Sequence, residues 1–323
     1  MADEIFEIGI LKFPGAQMAA VLGMTDLFTT ADSLAQRSHA DPAQPLLRVS
    51  HWEWGAGEDA PSRVFDTVLG AEGSPAVLVL PPAFGDLPTP GEALRYAGWL
   101  RERHSAGVAL GSVCKGAFLL GETGLLAGRT VTTHWTYEEE FQTRFPATRV
   151  DANRLLIDDG DIITAGGVMS WTDLALRLVD RFLGPAAMLD TARAFVIDPP
   201  GREQSYYSTF TPKMNHGDVP VLDVQRWLAA TDARDVDLAS LVRQSGLEER
   251  TLLRRFQKAT GLTTTEYWQR LRVGRARELL QSGSCSPDQV AWEVGYSDSG
   301  AFRKVFLRIV GLTPAEYRRR FRA

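Results

Sequence analysis

The residues of this 323-residue chain best placed to do chemistry lie in GSVCKGAFLLGETGLLAGRTVTTHW, residues 111–135. Cys114 stands between an apolar run, Val108 to Val113, and a helical stretch of small residues. Such a turn aims a thiol and the first N–H groups of a helix at one spot, a seat for an anionic or carbonyl oxygen. A nucleophilic cysteine needs an imidazole or a positive field to form thiolate, an acid to hold or exchange a proton, and N–H donors for an oxyanion. His134 supplies an imidazole. Lys115, directly after the cysteine, supplies charge but no neutral base at pH 7. Neither Cys114 nor Cys285 has a second Cys or His at zinc-finger spacing, so neither a metal nor a cofactor is expected.

A second constellation is basic. The chain carries a formal charge of −5, but from Gly217 onward it holds 18 Lys/Arg against 13 Asp/Glu, and before it 17 against 27. The C-terminal part is therefore built to meet a polyanion. It also contains a repeat of about 50 residues: positions 238–267 and 290–317 align through Phe256/Phe306, Gly261/Gly311, Leu262/Leu312, Glu266/Glu316 and Tyr267/Tyr317. Each copy reads as helix, turn, helix. Leu252, Phe256 and Ala259 recur at helical spacing and face inward, as do Phe302 and Phe306. Arg250, Leu253, Arg254 and Lys258 are left outside in the first copy, and Ser299, Arg303 and Lys304 in the second. Arginines and short polar residues on the second helix of such a unit can read base edges in a major groove.

These residues must be positioned by two domains, because a single core rarely grows beyond about 250 residues. Residues 5–185 alternate strand-like runs (IFEIGIL, LLRVSHW, VFDTVLG, AVLVL, GVALGSV, IITAGG) with helical ones that include Thr89–His104, Ala117–Thr123 and Ser170–Phe182. The pattern predicts an α/β, flavodoxin-like, mostly parallel sheet with helices on both faces, and Cys114 beyond the carboxyl end of a strand. A linker is expected over 186–220, opening with the helical PAAMLDTARAF after Gly184 and continuing through a stretch rich in proline, glycine and polar residues. An all-α domain with two helix-turn-helix units follows over 221–323. No run approaches the roughly 18 apolar residues that span a bilayer, and the acidic start MADEIFEIGILKF reads as neither signal nor transit peptide. A cytoplasmic protein without a membrane is expected, with its two cysteines free in a reducing compartment.

The double unit, with its ending GLTPAEYRRRF at 311–321, resembles the DNA-binding domain of the AraC/XylS regulators. That resemblance implies double-stranded DNA as partner, read by two helices in successive major grooves. One departure is Thr264 where the second copy has Pro314. The segment around Cys114, with TTHW, resembles the PfpI-like branch of the class I glutamine amidotransferase-like superfamily, found fused to AraC domains in GlxA-type regulators. Here the chain departs from the enzymes of that superfamily. Lys115 follows the cysteine where PfpI-like proteases have histidine. Ala20 fills the place of an acid after the first strand, and Pro82-Ala83 replace Gly-Gly, so Pro82 has no N–H to give. The resemblance thus implies a homodimeric transcription regulator, not an enzyme, with an unidentified small-molecule effector held near Cys114, Lys115, His134, Trp135 and Ala83. Two alternatives stay open. One is a cysteine-dependent hydrolase or hydratase fused to a DNA-binding domain; the other is a thiol redox sensor, since Lys115 and a helix start both favour thiolate.

Overall fold

A computed structural model describes residues 5–37, 45–70, 72–283 and 285–322. The acidic start, residues 1–4, lies outside them. The chain divides into two compact units, 1–204 and 205–323.

The first unit runs β1 (Phe6–Lys12), α1 (Met18–Gln36), β2 (Leu47–Glu53), β3 (Ser62–Asp66), β4 (Val77–Leu80), α2 (Pro90–Ser105), β5 (Ala109–Val113), α3 (Gly116–Gly121), β6 (Thr130–Val131), α4 (Glu138–Arg144), β7 (Arg149–Val150), β8 (Leu156–Asp158), β9 (Ile162–Ala165) and α5 (Trp171–Phe195). Seven strands form one sheet in the order β3-β2-β1-β4-β5-β9-β8. The five central strands are parallel and the two edge strands antiparallel. Buried β4 reads as an unbroken apolar run, and buried β5 as one interrupted by Ser112, because both faces of the sheet are covered. One apolar cluster joins α1 and α5 to one face, and a second joins α2 and α3 to the other. On β1, Glu7 is 2% exposed and pairs with Arg48 of β2 and Arg63 of β3, with Ser50 donating to it at 2.5 Å. A carboxylate so deeply buried is tolerable only when paired and hydrogen-bonded in this way.

The expected linker is not a free connector. Helix α5 kinks at Gly184, where φ is +86°, and continues to Phe195. The side-chain amide of Gln204 donates to Thr132 Oγ1 at 3.0 Å and to the carbonyls of Thr133 and Arg154 at 2.9 Å, tying residues up to 204 into the first unit. From Ser205 the chain joins the second unit, where the Arg277 guanidinium takes the carbonyls of Ser205 and Ser208.

That unit holds α6 (Val219–Ala230), α7 (Leu238–Ser245), α8 (Glu249–Thr260), α9 (Thr264–Ser282), α10 (Pro287–Glu293), α11 (Ser299–Val310) and α12 (Pro314–Phe321). Each copy of the repeat has its own apolar cluster, one around Phe256 and Tyr267 and one around Phe306 and Tyr317. In both the rings meet edge to face, at 5.2 and 5.6 Å. Each tyrosine hydroxyl has a glutamine partner, Gln225 at 3.1 Å and Gln281 at 2.7 Å. Thr264 does not weaken its helix: Thr263 and Glu266 form the same capping box there as Thr313 and Glu316 form at Pro314. Arg272 of α9 braces the two copies, donating to Ala233 O at 2.7 Å and to Gly295 O at 3.0 Å.

Candidate functional site

The cysteine elbow is made by strain held in place. Cys114 has φ +53°, a left-handed conformation that costs a non-glycine residue about 1–3 kcal/mol. Its N–H donates to Ala165 O at 2.8 Å and its carbonyl accepts from Thr133 Oγ1 at 2.8 Å, so the next strand and the TTHW segment fix the turn from both sides. Gly116 is required by close approach, since a Cβ there would collide with the carbonyl oxygens of Leu80 and Pro81.

The thiol so presented is shut away. Cys114 is 1% exposed and shares an apolar cluster with Val113, Ala165 and the fully buried Ala20. Burial pushes the thiol up to about 11; the Lys115 backbone N–H and the Lys115 charge act the other way and do not overcome it. His134 makes no hydrogen bond to the thiol. Its Nδ1 accepts from the Thr136 N–H at 3.2 Å and lies 2.7 Å from the Thr136 hydroxyl, and its ring stacks on Trp135 at 5.6 Å. Burial, then the Lys115 charge, lowers the imidazole's affinity for a proton. Buried Lys115 donates from its ammonium to Gly85 O, and the ammonium lies 5.4 Å from the centre of the Tyr137 ring. Trp135 is half-buried and donates its backbone N–H to Gln204 Oε1 at 3.1 Å.

Lys115 and His134 therefore meet about Tyr137, a residue with no sequence signal of its own, and Trp135 stacks on His134. Ala83 stands elsewhere. It lines a cavity of about 250 Å³ together with Phe13, Phe84, Asp86, Tyr96 and Leu119, and none of Cys114, Lys115, His134 and Trp135 reaches that lining.

In the second unit, Gly246 ends α7 in the left-handed region at φ +63° and delivers the chain into α8. Leu252 and Phe256 are fully buried, which turns Arg250, Leu253, Arg254 and Lys258 outward. Leu253 is 36% exposed, unusual for a leucine beside two arginines. Arg255, one residue on, is held by Asp218 through two hydrogen bonds of 2.9 and 2.8 Å. On α11, Asp298 caps the helix start, Ser299 opens it, and Arg303 and Lys304 are exposed. Arg303 pairs with Asp288 at 2.6 Å. By the repeat, Leu253 corresponds to Arg303 and Arg254 to Lys304, so the exposed faces of α8 and α11 differ in chemistry.

Residues 64–181 match the DJ-1/PfpI family and residues 241–320 a helix-turn-helix domain. The chain is thus a transcription regulator that joins a DJ-1/PfpI domain to an AraC-type helix-turn-helix domain. Its relatives are of the GlxA kind. The HTH-type transcriptional regulator GlxA of Rhizobium meliloti is 27% identical over 229 residues, 68% of each chain. The regulator GbdR of Pseudomonas aeruginosa is 27% identical over 224 residues, 69% of this chain and 61% of its own. Among solved structures, DJ-1beta of Drosophila melanogaster is 17% identical, covering 60% of this chain and 100% of its own at a TM-score of 0.47. Among the described residues no helix is long and apolar enough to cross a membrane.

Proposed function

We propose that the first unit is a catalytically silent sensor whose small-molecule effector sets the affinity of the second unit for DNA. The observation that carries this reading is the state of Cys114: a buried thiol held protonated among apolar groups that include Ala20, with the His134 imidazole engaged with its own turn. Acyl transfer needs thiolate and a proton carrier, and a redox sensor needs thiolate open to oxidant, so both alternatives lack their first step. On the DNA side, α8 and α11 enter successive major grooves of double-stranded DNA. Arg250, Leu253, Arg254 and Lys258 read from the first, Ser299, Arg303 and Lys304 from the second, in a cytoplasmic homodimer. Selection of bound sequences from random duplex DNA by the full chain tests the DNA half; two conserved elements about 10 base pairs apart are expected, and no enrichment refutes it. For the sensor half, no turnover of amide, ester or α-keto aldehyde substrates is expected. Steady turnover abolished by Cys114→Ser would make the chain an enzyme.

A further inference from the structure

The second unit opens with residues 205–218, of which 207–218 form neither helix nor strand. A stretch of about a dozen residues without regular structure is uncommon inside a compact domain and usually has a function of its own. This one is anchored at both ends and between them, and its ends reach the two helices exposed for DNA.

The start of the segment is held by the second copy of the repeat. Arg277 of α9 is 6% exposed and gives its guanidinium to the carbonyls of Ser205, at 2.7 Å, and Ser208. A cation so deeply buried needs such acceptors. The Tyr206 ring packs on Gly311, the residue that ends α11, where a Cβ would lie 2.8 Å from the ring. Arg320 of α12 lies over Tyr206 and Tyr207 at 5.7 and 5.8 Å and donates to the Tyr207 hydroxyl at 3.1 Å. Gly261, which ends α8 in the first copy, has none of the described residues within 4 Å of its Cβ position. The grip on the end of α11 is therefore not a by-product of the repeat.

The segment then passes to the first copy. Phe210 meets Tyr267 edge to face at 5.2 Å. The Lys213 carbonyl accepts from the Gln225 amide at 3.0 Å, and His216 Nε2 lies 2.8 Å from Gln225 Oε1. At the end, Asp218 caps α6 and also holds Arg255 of α8 by two hydrogen bonds, at 2.9 and 2.8 Å. A two-bonded pair between guanidinium and carboxylate fixes direction as well as distance. Arg255 lies between exposed Arg254 and fully buried Phe256, so the pair holds α8 against rotation about its own axis and with it the direction of Arg254.

We propose that residues 205–218 are a strap that fixes the spacing of α8 and α11, with Tyr206 at Gly311 and Asp218 at Arg255 as its positioning residues. Arg272 joins the two copies at the Ala233 and Gly295 turns. The strap instead grips the exposed helices themselves, one at its end and the other in its middle, and removes the freedom that one against the other would keep. This assignment rests on the reading of α8 and α11 as a pair that enters successive grooves.

Anisotropy titrations of the full chain test it on two duplexes, one carrying the two elements selected from random DNA and one with a single base pair inserted between them. Wild type should prefer the selected spacing by about tenfold or more, because a reader out of register loses its base contacts. Asp218→Asn keeps a capping residue for α6 but gives up the charge pair. Asp218→Asn and Tyr206→Ala should each cut the preference by about threefold, the worth of one such contact. Tyr206→Phe, which keeps the ring, should keep the preference. An Arg255 freed by Asp218→Asn would strengthen both duplexes alike, so the ratio and not the affinity reports the spacing. Arg255→Gln, which leaves no free cation, should lower the ratio as Asp218→Asn does. Contacts that only stabilise the fold would lower the melting temperature and weaken both duplexes equally. That result, or an unchanged ratio in Asp218→Asn and Arg255→Gln, overturns the strap and leaves the two-groove reading standing. No spacing preference in wild type overturns both.

Discussion

The protonated state of Cys114 leads to a kinetic prediction. A thiol with its pKa at about 11 instead of the ordinary 9.0 is deprotonated at pH 7.5 about 3 times in 10,000 instead of about 3 in 100, a loss of about 100-fold in reactive form. The more basic thiolate is also the better nucleophile, and with a Brønsted slope near 0.4–0.5 this returns about 6- to 10-fold. Protonation alone should therefore slow attack on an aromatic disulfide reagent such as DTNB by about 10- to 16-fold relative to a thiol of ordinary pKa. Burial at 1% exposure adds the requirement that the domain open first. In native protein one equivalent of thionitrobenzoate should be released quickly and the second slowly; in Cys285→Ser only the slow phase should remain. Its rate should climb with pH without levelling off below pH 9. A plateau near pH 7, or a Cys114 rate equal to that of Cys285, would mean a thiolate at neutral pH and would refute the silent elbow. The same shift has a sign for stability. Folding holds the thiol neutral, so its contribution is complete below about pH 9 and is lost as pH rises through about 11, a loss absent from Cys114→Ser.

Three further outcomes are expected from the DNA-binding unit. Arg254→Ala should cost about 1–3 kcal/mol on a selected site and much less on random duplex; equal loss on both, in a mobility-shift titration, would make Arg254 a phosphate contact. Asp288→Asn frees Arg303 from its 2.6 Å partner and should tighten binding to any duplex at low salt with a steeper salt dependence; an unchanged salt slope would show that Arg303 does not face DNA. Phe256→Ala and Phe306→Ala each empty a fully buried site and should cost about 3–5 kcal/mol, melting the second unit in calorimetry while the first keeps its transition; loss of both transitions together would show that the units do not fold independently.

Periodicity made the second unit legible almost residue by residue. Phe256 and Phe306 had to be inside if the helices were amphipathic, and once they were, Arg250, Arg254 and Lys304 had to be outside. What the pattern could not show was competition among the basic residues: Arg255 and Arg303 look like their neighbours in sequence, yet Asp218 and Asp288, 37 and 15 residues away, claim them. In the first unit the strand–turn–helix at Cys114 was plain, because a buried parallel strand and a small-residue helix leave few alternatives. Its occupancy was not. Whether a thiol at an elbow is open or sealed depends on groups from α1, β9 and the TTHW segment, none of them near it in sequence except Lys115. The cavity was harder still, since Asp86, Tyr96 and Phe13 share no motif and meet only through sheet order. In the linker segment composition could not show the anchoring of Gln204, whose side-chain amide bonds backbone carbonyls distant in sequence.

The Arg272 brace bears on which DNA sequences this protein can use. One guanidinium fixes the Ala233 turn of the first copy to the Gly295 turn of the second, inside a unit where burial deprives the charge of water and makes the bonds costly to break. In the proposed reading, with α8 and α11 in successive grooves, two readers on a stiff frame keep one pitch and one phase. A single base pair inserted between their targets would turn one of them by about 35° around the duplex axis, a mismatch that no flexible tether is present to absorb. On that reading the two DNA elements form a single word of set length, and a promoter comes under control of this protein when both halves arise in register.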